Sequence, residues 1–138
     1  MNSSIRFSLP QLSFTKPRGL APKLFFSVYH GPNAVAFAQL SSRASNKFQN
    51  ELNRADGLDR ERKVPGVSYC LKQIEVKQSY RNQGIGSALL NEVIRFCEDE
   101  RVSALYGEAK GDHQDLPRWY SDKGFQVDRV NNIQMCFT

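Results

Sequence analysis

The hydrophobic pattern changes period near residue 84, and that change divides the chain into a strand-rich part and a mixed part. Leu24–His30 (LFFSVYH) is dense in aromatic residues and predicts a strand. Gly31-Pro32-Asn33 is a turn signal, and Ala34–Leu40 alternates around Val35 and Phe37, so the two segments predict a hairpin. Val67–Val76 (VSYCLKQIEV) predicts a longer strand. Val67, Tyr69 and Leu71 share one phase; Cys70, Ile74 and Val76, with Lys72 among them, share the other, as in a strand covered on both faces. From Gly84 onward the apolar spacing becomes three to four. Ile85, Ala88, Leu89, Val93, Phe96 and Cys97 mark an amphipathic helix to about Asp99. Val102–Tyr106 predicts a short strand. Leu116–Lys123 predicts a second helix, with Pro117 in its first turn and Gly124 just past its end. Phe125–Val130 and Ile133–Phe137 flank Asn131-Asn132 and predict a closing hairpin.

Two stretches lack a clear period. Ile5–Leu9 predicts a short strand, followed by a connection punctuated by Pro10, Pro17 and Pro22. Residues 43–66 are polar and charged. Phe48, Leu52 and Ala55 allow one short helix there before Gly57. The expected architecture is a single α/β domain spanning residues 1–138: an N-terminal arm (1–23), an insert (43–66) and a core (67–138).

Composition narrows the function classes. The chain has 138 residues, of which 40% are hydrophobic and 24% charged, as in a soluble globular domain. No apolar run approaches the roughly 18–20 residues of a membrane span. Cys70, Cys97 and Cys136 are odd in number and widely spaced, so no disulfide framework is expected. His30 and His113 are the only histidines and no Cys-x2-Cys pair exists, so no metal is expected. The formal charge of +5 is unevenly placed: residues 1–50 carry six basic side chains and no acid, the remainder 13 basic and 14 acidic. The acid-free, serine-rich start also has the composition of an organelle transit segment, an alternative to the cytoplasmic location otherwise expected.

The chemistry-bearing segment is Arg81-Asn82-Gln83-Gly84-Ile85-Gly86-Ser87, between the strand ending at Val76 and the first helix. Two glycines let the backbone turn tightly and leave its amides bare at a helix N-terminus, where the dipole is positive. Such a cradle suits a pyrophosphate, and Arg81 can add a charge-assisted hydrogen bond. The spacing is not that of a Walker loop, and Leu89 occupies the position where a dinucleotide fingerprint needs Gly or Ala.

The order strand, Arg-x-x-Gly-x-Gly, helix, strand, then Tyr120-x-x-x-Gly124-Phe125 resembles the GNAT superfamily of CoA-dependent N-acetyltransferases. The resemblance covers roughly residues 67–138 and, less clearly, 24–42. It implies a mixed, mostly antiparallel sheet with splayed central strands and flanking helices, and acetyl-CoA as cosubstrate. It implies that the backbone at Ile74 and Val76 pairs with the pantetheine arm, which requires the following strand to splay away. Gln83, Gly84, Ile85, Gly86 and Ser87, with Arg81 and Asn82, would then hold the pyrophosphate. Tyr120 would direct its hydroxyl at the CoA sulfur and protonate the leaving thiolate after a primary amine attacks the thioester. An amide such as that of Val76 would stabilise the oxyanion.

The chain departs from the family in three places. Where members often have an Asn seven residues before the tyrosine, His113 stands, a candidate pantetheine contact. Some members carry a Glu within the strand preceding the motif, but Tyr69-Cys70-Leu71 holds no carboxylate. Glu108 and Glu75 are the candidate general bases, with ordered water as the alternative. The helices that usually precede the first hairpin are missing from residues 10–23, which makes the acceptor side more open or leaves its closure to residues 43–66 or to a second subunit, as in a homodimer. The acceptor is expected to be an amine on a small molecule or protein, with no nucleic acid or membrane involved. Two alternatives stay open: an amine carried on RNA, motivated by the basic first third, and a non-catalytic acyl-CoA-binding module.

Overall fold

The computed structural model describes residues 11–42, 67–110 and 115–137. These form seven strands, β1 (Leu12–Thr15), β2 (Lys23–His30), β3 (Asn33–Ser41), β4 (Ser68–Val76), β5 (Ala104–Glu108), β6 (Gln126–Val127) and β7 (Asn132–Cys136). Two α-helices, α1 (Ile85–Asp99) and α2 (Leu116–Asp122), accompany them, with a 3-10 turn at Gln78–Tyr80. The strands make one sheet in the order β1-β2-β3-β4-β5-β7-β6, antiparallel throughout except for the β4/β5 pair.

Apolar alternation assigns one face of this sheet to α1. Phe14 lies opposite Val28, Phe26 opposite Ala38, and Leu24 opposite Leu40, and all six are nearly inaccessible. The buried stripe of α1 (Ile85, Leu89, Leu90, Val93, Phe96, Cys97) packs on that face, with Phe26 and Phe96 meeting edge to face at 5.2 Å. Filling this space removes several large side chains from water at roughly 1.5–3 kcal/mol each. The other face carries Phe25, Phe37, Gln39, Cys70, Gln73 and Glu75, and Phe25 is 56% exposed.

Three departures from the sequence reading have local causes. β1 lies inside the stretch read as a proline-punctuated connection. It is an edge strand, where Pro17 just beyond it breaks no ladder on the open side; the strand expected at Ile5–Leu9 falls outside the described residues. β5 starts at Ala104 rather than Val102, because Val102 is used to close α1. Its amide donates to Cys97 O (2.8 Å) and that of Arg101, at φ 58°, to Glu98 O (3.2 Å). This is a Schellman ending with arginine where glycine is usual. The last hairpin turns earlier than expected. The Asp128 carboxylate accepts from the amides of Val130 (3.0 Å) and Asn132 (2.7 Å) and from Asn132 Nδ2 (3.1 Å), so Asn132 opens β7 as a buried, satisfied polar residue.

The strand β4 is irregular where it matters. Its pairing with β3 runs Leu40↔Leu71 and then Gln39↔Gln73, so Lys72 is an extra residue. A one-residue bulge flips every later side chain. Leu71, Ile74 and Val76 therefore share the α1 face, and the strand is covered on both faces only over Tyr69–Leu71, where all three residues are buried. Pairing with β5 ends at Leu71↔Gly107, while pairing with β3 continues to Val76. Gly107 marks the last close approach: a Cβ there would lie 3.0 Å from Leu71 O. Beyond it, among the described residues, Lys72–Val76 keeps a strand neighbour on one edge only. The expected splay is present.

Candidate active site

The open end of β4, the glycine loop and α2 converge on one corner of the molecule. After β4 the chain passes through the 3-10 turn to Arg81, and Lys77 N donates to Val35 O at 2.8 Å, anchoring the start of the turn on β3. Tyr80 and His30 Nδ1 share a hydrogen bond of 2.5 Å with their rings edge to face, tying the turn to the tip of the β2/β3 hairpin. The loop then needs two unusual backbone conformations, at Asn82 (φ 64°) and Gly84 (φ 80°). Gly84 is the N-cap of α1 and offers no side-chain oxygen, and no acid sits in the first helical turn. The leading amides of α1 are thus left without a side-chain cap, as an anion site requires. Gly86 has a spatial role, since a Cβ on it would touch Val76 Cγ2 at 3.4 Å. Its missing side chain lets the first turn of α1 settle against the end of β4.

Arg81 is exposed, and its Nε donates to Val76 O at 3.0 Å. The guanidinium is thus held at the mouth of the split. Ile74 and Val76 are half-buried and pack on the core beside the loop. The sequence-predicted cofactor residues Ile74, Val76, Arg81, Asn82, Gln83, Gly84, Ile85, Gly86 and Ser87 therefore lie contiguously along one edge. His113 lies outside the described residues.

Tyr120 is buried at 4% exposure, its ring between Trp119 (4.9 Å) and Phe125 (5.4 Å). Burial pushes its hydroxyl up to about 12, so the protonated, donating form holds across the working range of an enzyme. The helix that carries it is fastened to α1 by two side-chain bonds one turn apart. Trp119 Nε1 donates to Ser87 Oγ (3.1 Å) and Lys123 Nζ to Asn91 Oδ1 (3.4 Å). Trp119 is half-buried against the core, and its Nε1–H ties it to Ser87 in the first turn of α1.

The candidate bases occupy the other face. Glu75 is exposed, lies opposite Phe37 on β3, and accepts from Gln73 Nε2 at 3.0 Å. Glu108 is half-buried at the end of β5, just past the last β4/β5 pair, and is ion-paired with Lys110 at 2.7 Å. Cys70 and Tyr106 are neighbours on this face. Burial first, and the Glu108 charge as well, raise Cys70 to about 11, against a partial opposing pull from Lys72. A thiol so raised is no nucleophile at neutral pH. Both carboxylates border the split, Glu75 on the open half of β4 and exposed, Glu108 one residue past the last β4/β5 pair and half-buried.

Comparison with known proteins agrees with this geometry. The profile described as the Acetyltransferase (GNAT) family matches residues 6–125. No curated protein matches in sequence. Solved structures with the same fold include the ribosomal-protein-S18-alanine N-acetyltransferase of Escherichia coli (21% identity, TM-score 0.56, 83% of this chain and 67% of that one). The PaiA N-acetyltransferase of Thermoplasma acidophilum, in complex with coenzyme A, aligns at 16% identity and TM-score 0.55 over 82% of this chain and 59% of that one. The GNAT domain of S. lividans PAT aligns at 12% identity and TM-score 0.60, over 83% and 61%. These identities speak for the fold alone. A family match over most of the chain, joined to a splayed β4/β5 pair with a glycine loop at its end, makes the chain a member of the GNAT acetyltransferase family.

Proposed function

We propose that the protein is an acetyl-CoA-dependent N-acetyltransferase that transfers the acetyl group directly to a primary amine. The observation that carries this reading is the single-edged segment Lys72–Val76 beside an uncapped helix N-terminus. An extended pantetheine arm fits the free edge of β4 as an added strand would, and the pyrophosphate fits the amides of Gln83 to Ser87 beside Arg81.

The side chains then divide the proton traffic. Glu108 accepts a proton from the incoming ammonium or from the amine as it attacks the thioester carbon. The main-chain amide of Val76 offers a fixed dipole to the developing oxyanion. As the carbon–sulfur bond breaks, Tyr120 gives its proton to the leaving thiolate; Tyr120 then regains a proton from solvent and Glu108 gives its own up to solvent, so the protein ends unchanged. Glu75, on the same face but exposed and bonded to Gln73, is assigned no step.

The test is CoA release from acetyl-CoA when amines on small molecules and on peptide N-termini or lysines are offered. Tyr120→Phe should lower kcat by about 10²-fold with little effect on acetyl-CoA affinity. Unchanged turnover in that variant removes Tyr120 from the mechanism. Acetyl-CoA binding without turnover on any amine favours a non-catalytic acyl-CoA-binding module instead.

A further inference from the structure

Trp119 and Ser87 join the two motifs of the site through one hydrogen bond, and its direction is fixed by chemistry. An indole Nε1–H can only donate. Ser87 Oγ, 3.1 Å away, is therefore the acceptor, and its own hydroxyl proton is directed elsewhere. Ser87 is the third residue of α1, immediately after Gly86 and among the leading amides that Gly84 leaves uncapped. A hydroxyl held at that point, with its proton turned away from the indole, is placed to donate to an anion lying on those amides. Trp119 is also the chain neighbour of Tyr120, and the two rings are in edge-to-face contact at 4.9 Å. A parallel, exposed contact from Lys123 Nζ to Asn91 Oδ1 lies one turn on.

We propose that Trp119 is a positioning residue that couples occupancy of the phosphate loop to the placement of Tyr120. It orients the Ser87 hydroxyl toward the CoA pyrophosphate and, through the same bond, holds the helix bearing Tyr120 against the loop. The proposal rests on the acetyl-CoA reading above. It also assigns the chain's single tryptophan to the site, which supplies a reporter.

The experiment is a double-mutant cycle on CoA affinity. In the wild type, CoA titration should shift the Trp119 emission. Calorimetry should then show Trp119→Phe and Ser87→Ala each weakening CoA about tenfold, as loss of one charge-assisted hydrogen bond implies. The double variant should be about tenfold weaker, not about a hundredfold, because both changes break the same link. Losses that multiply, or full CoA affinity in either single variant, overturn the coupling while leaving the acetyltransferase reading intact. A wild type that binds no CoA overturns both. If Trp119→Phe does not fold, Ser87→Ala keeps the reporter, and unchanged affinity there overturns the proposal.

Discussion

The two halves of β4 show how one strand can be structural at one end and functional at the other. Ser68–Leu71 has a strand on each side, and Tyr69, Cys70 and Leu71 are buried. Its chain groups are claimed, including the Tyr69 hydroxyl, which donates to Ala21 O at 2.7 Å. Lys72–Val76 continues the strand, but among the described residues one edge has no strand beside it, and no residue in it is fully buried. The change occurs at the Lys72 bulge and at Gly107, within one residue pair. Stability is concentrated before that point and binding capacity after it.

Mutation should separate the halves sharply. Leu71→Ala, which empties a position facing Leu40, should cost about 2–5 kcal/mol in denaturant unfolding. A loss below about 1 kcal/mol would mean that the first half is not a packed core. The buried interior, of which that half is part, should also control alkaline stability. Burial raises Cys70 to about 11 and, on α1, Cys97 to about 12, from ordinary values of 9.0, and Tyr120 on α2 to about 12 from 10.0. All three have raised folded values, so above pH 9 the unfolded chain holds fewer protons than the native one. Stability should be full below pH 9 and fall steadily from there to about pH 12. A urea midpoint that stays flat from pH 8 to 11 would contradict this.

Smaller effects probe the boundary elements. Gly84→Ala should destabilise by about 1 kcal/mol because of the positive φ, and should weaken CoA binding by more than that strain alone. Arg101→Gly should do the reverse for the fold, adding up to about 1 kcal/mol by relieving a left-handed residue at the end of α1. At the bottom of the scale, Glu75→Gln in the open half should change stability by less than about 0.5 kcal/mol and leave turnover alone. A large fall in turnover there would transfer the base from Glu108 to Glu75.

The boundary itself was the least legible part of the sequence. Period alone located the β2/β3 hairpin and α1, and Pro117 with Gly124 bracketed α2. The Arg81–Gly86 and Tyr120–Phe125 motifs were visible because glycine spacing is a direct consequence of backbone demands. The bulge left no mark, since Lys72 and Gln73 are both polar and exposed and either phase accommodates them. The offsets of β5 and the last hairpin were hidden for a related reason. Hydrogen bonds from Arg101, Val102 and Asp128 set those limits, and hydrophobicity does not encode them. The Trp119–Ser87 link joins residues 32 apart in sequence and emerges only when α2 lies along α1.

Amide hydrogen exchange with and without CoA tests the central claim most directly. Ser68–Leu71 should be well protected in both states, whereas Lys72–Val76 and Gln83–Ser87 should gain protection only with CoA. Unchanged exchange in those two segments, with CoA bound, would contradict the assignment of the split and the glycine loop as its site.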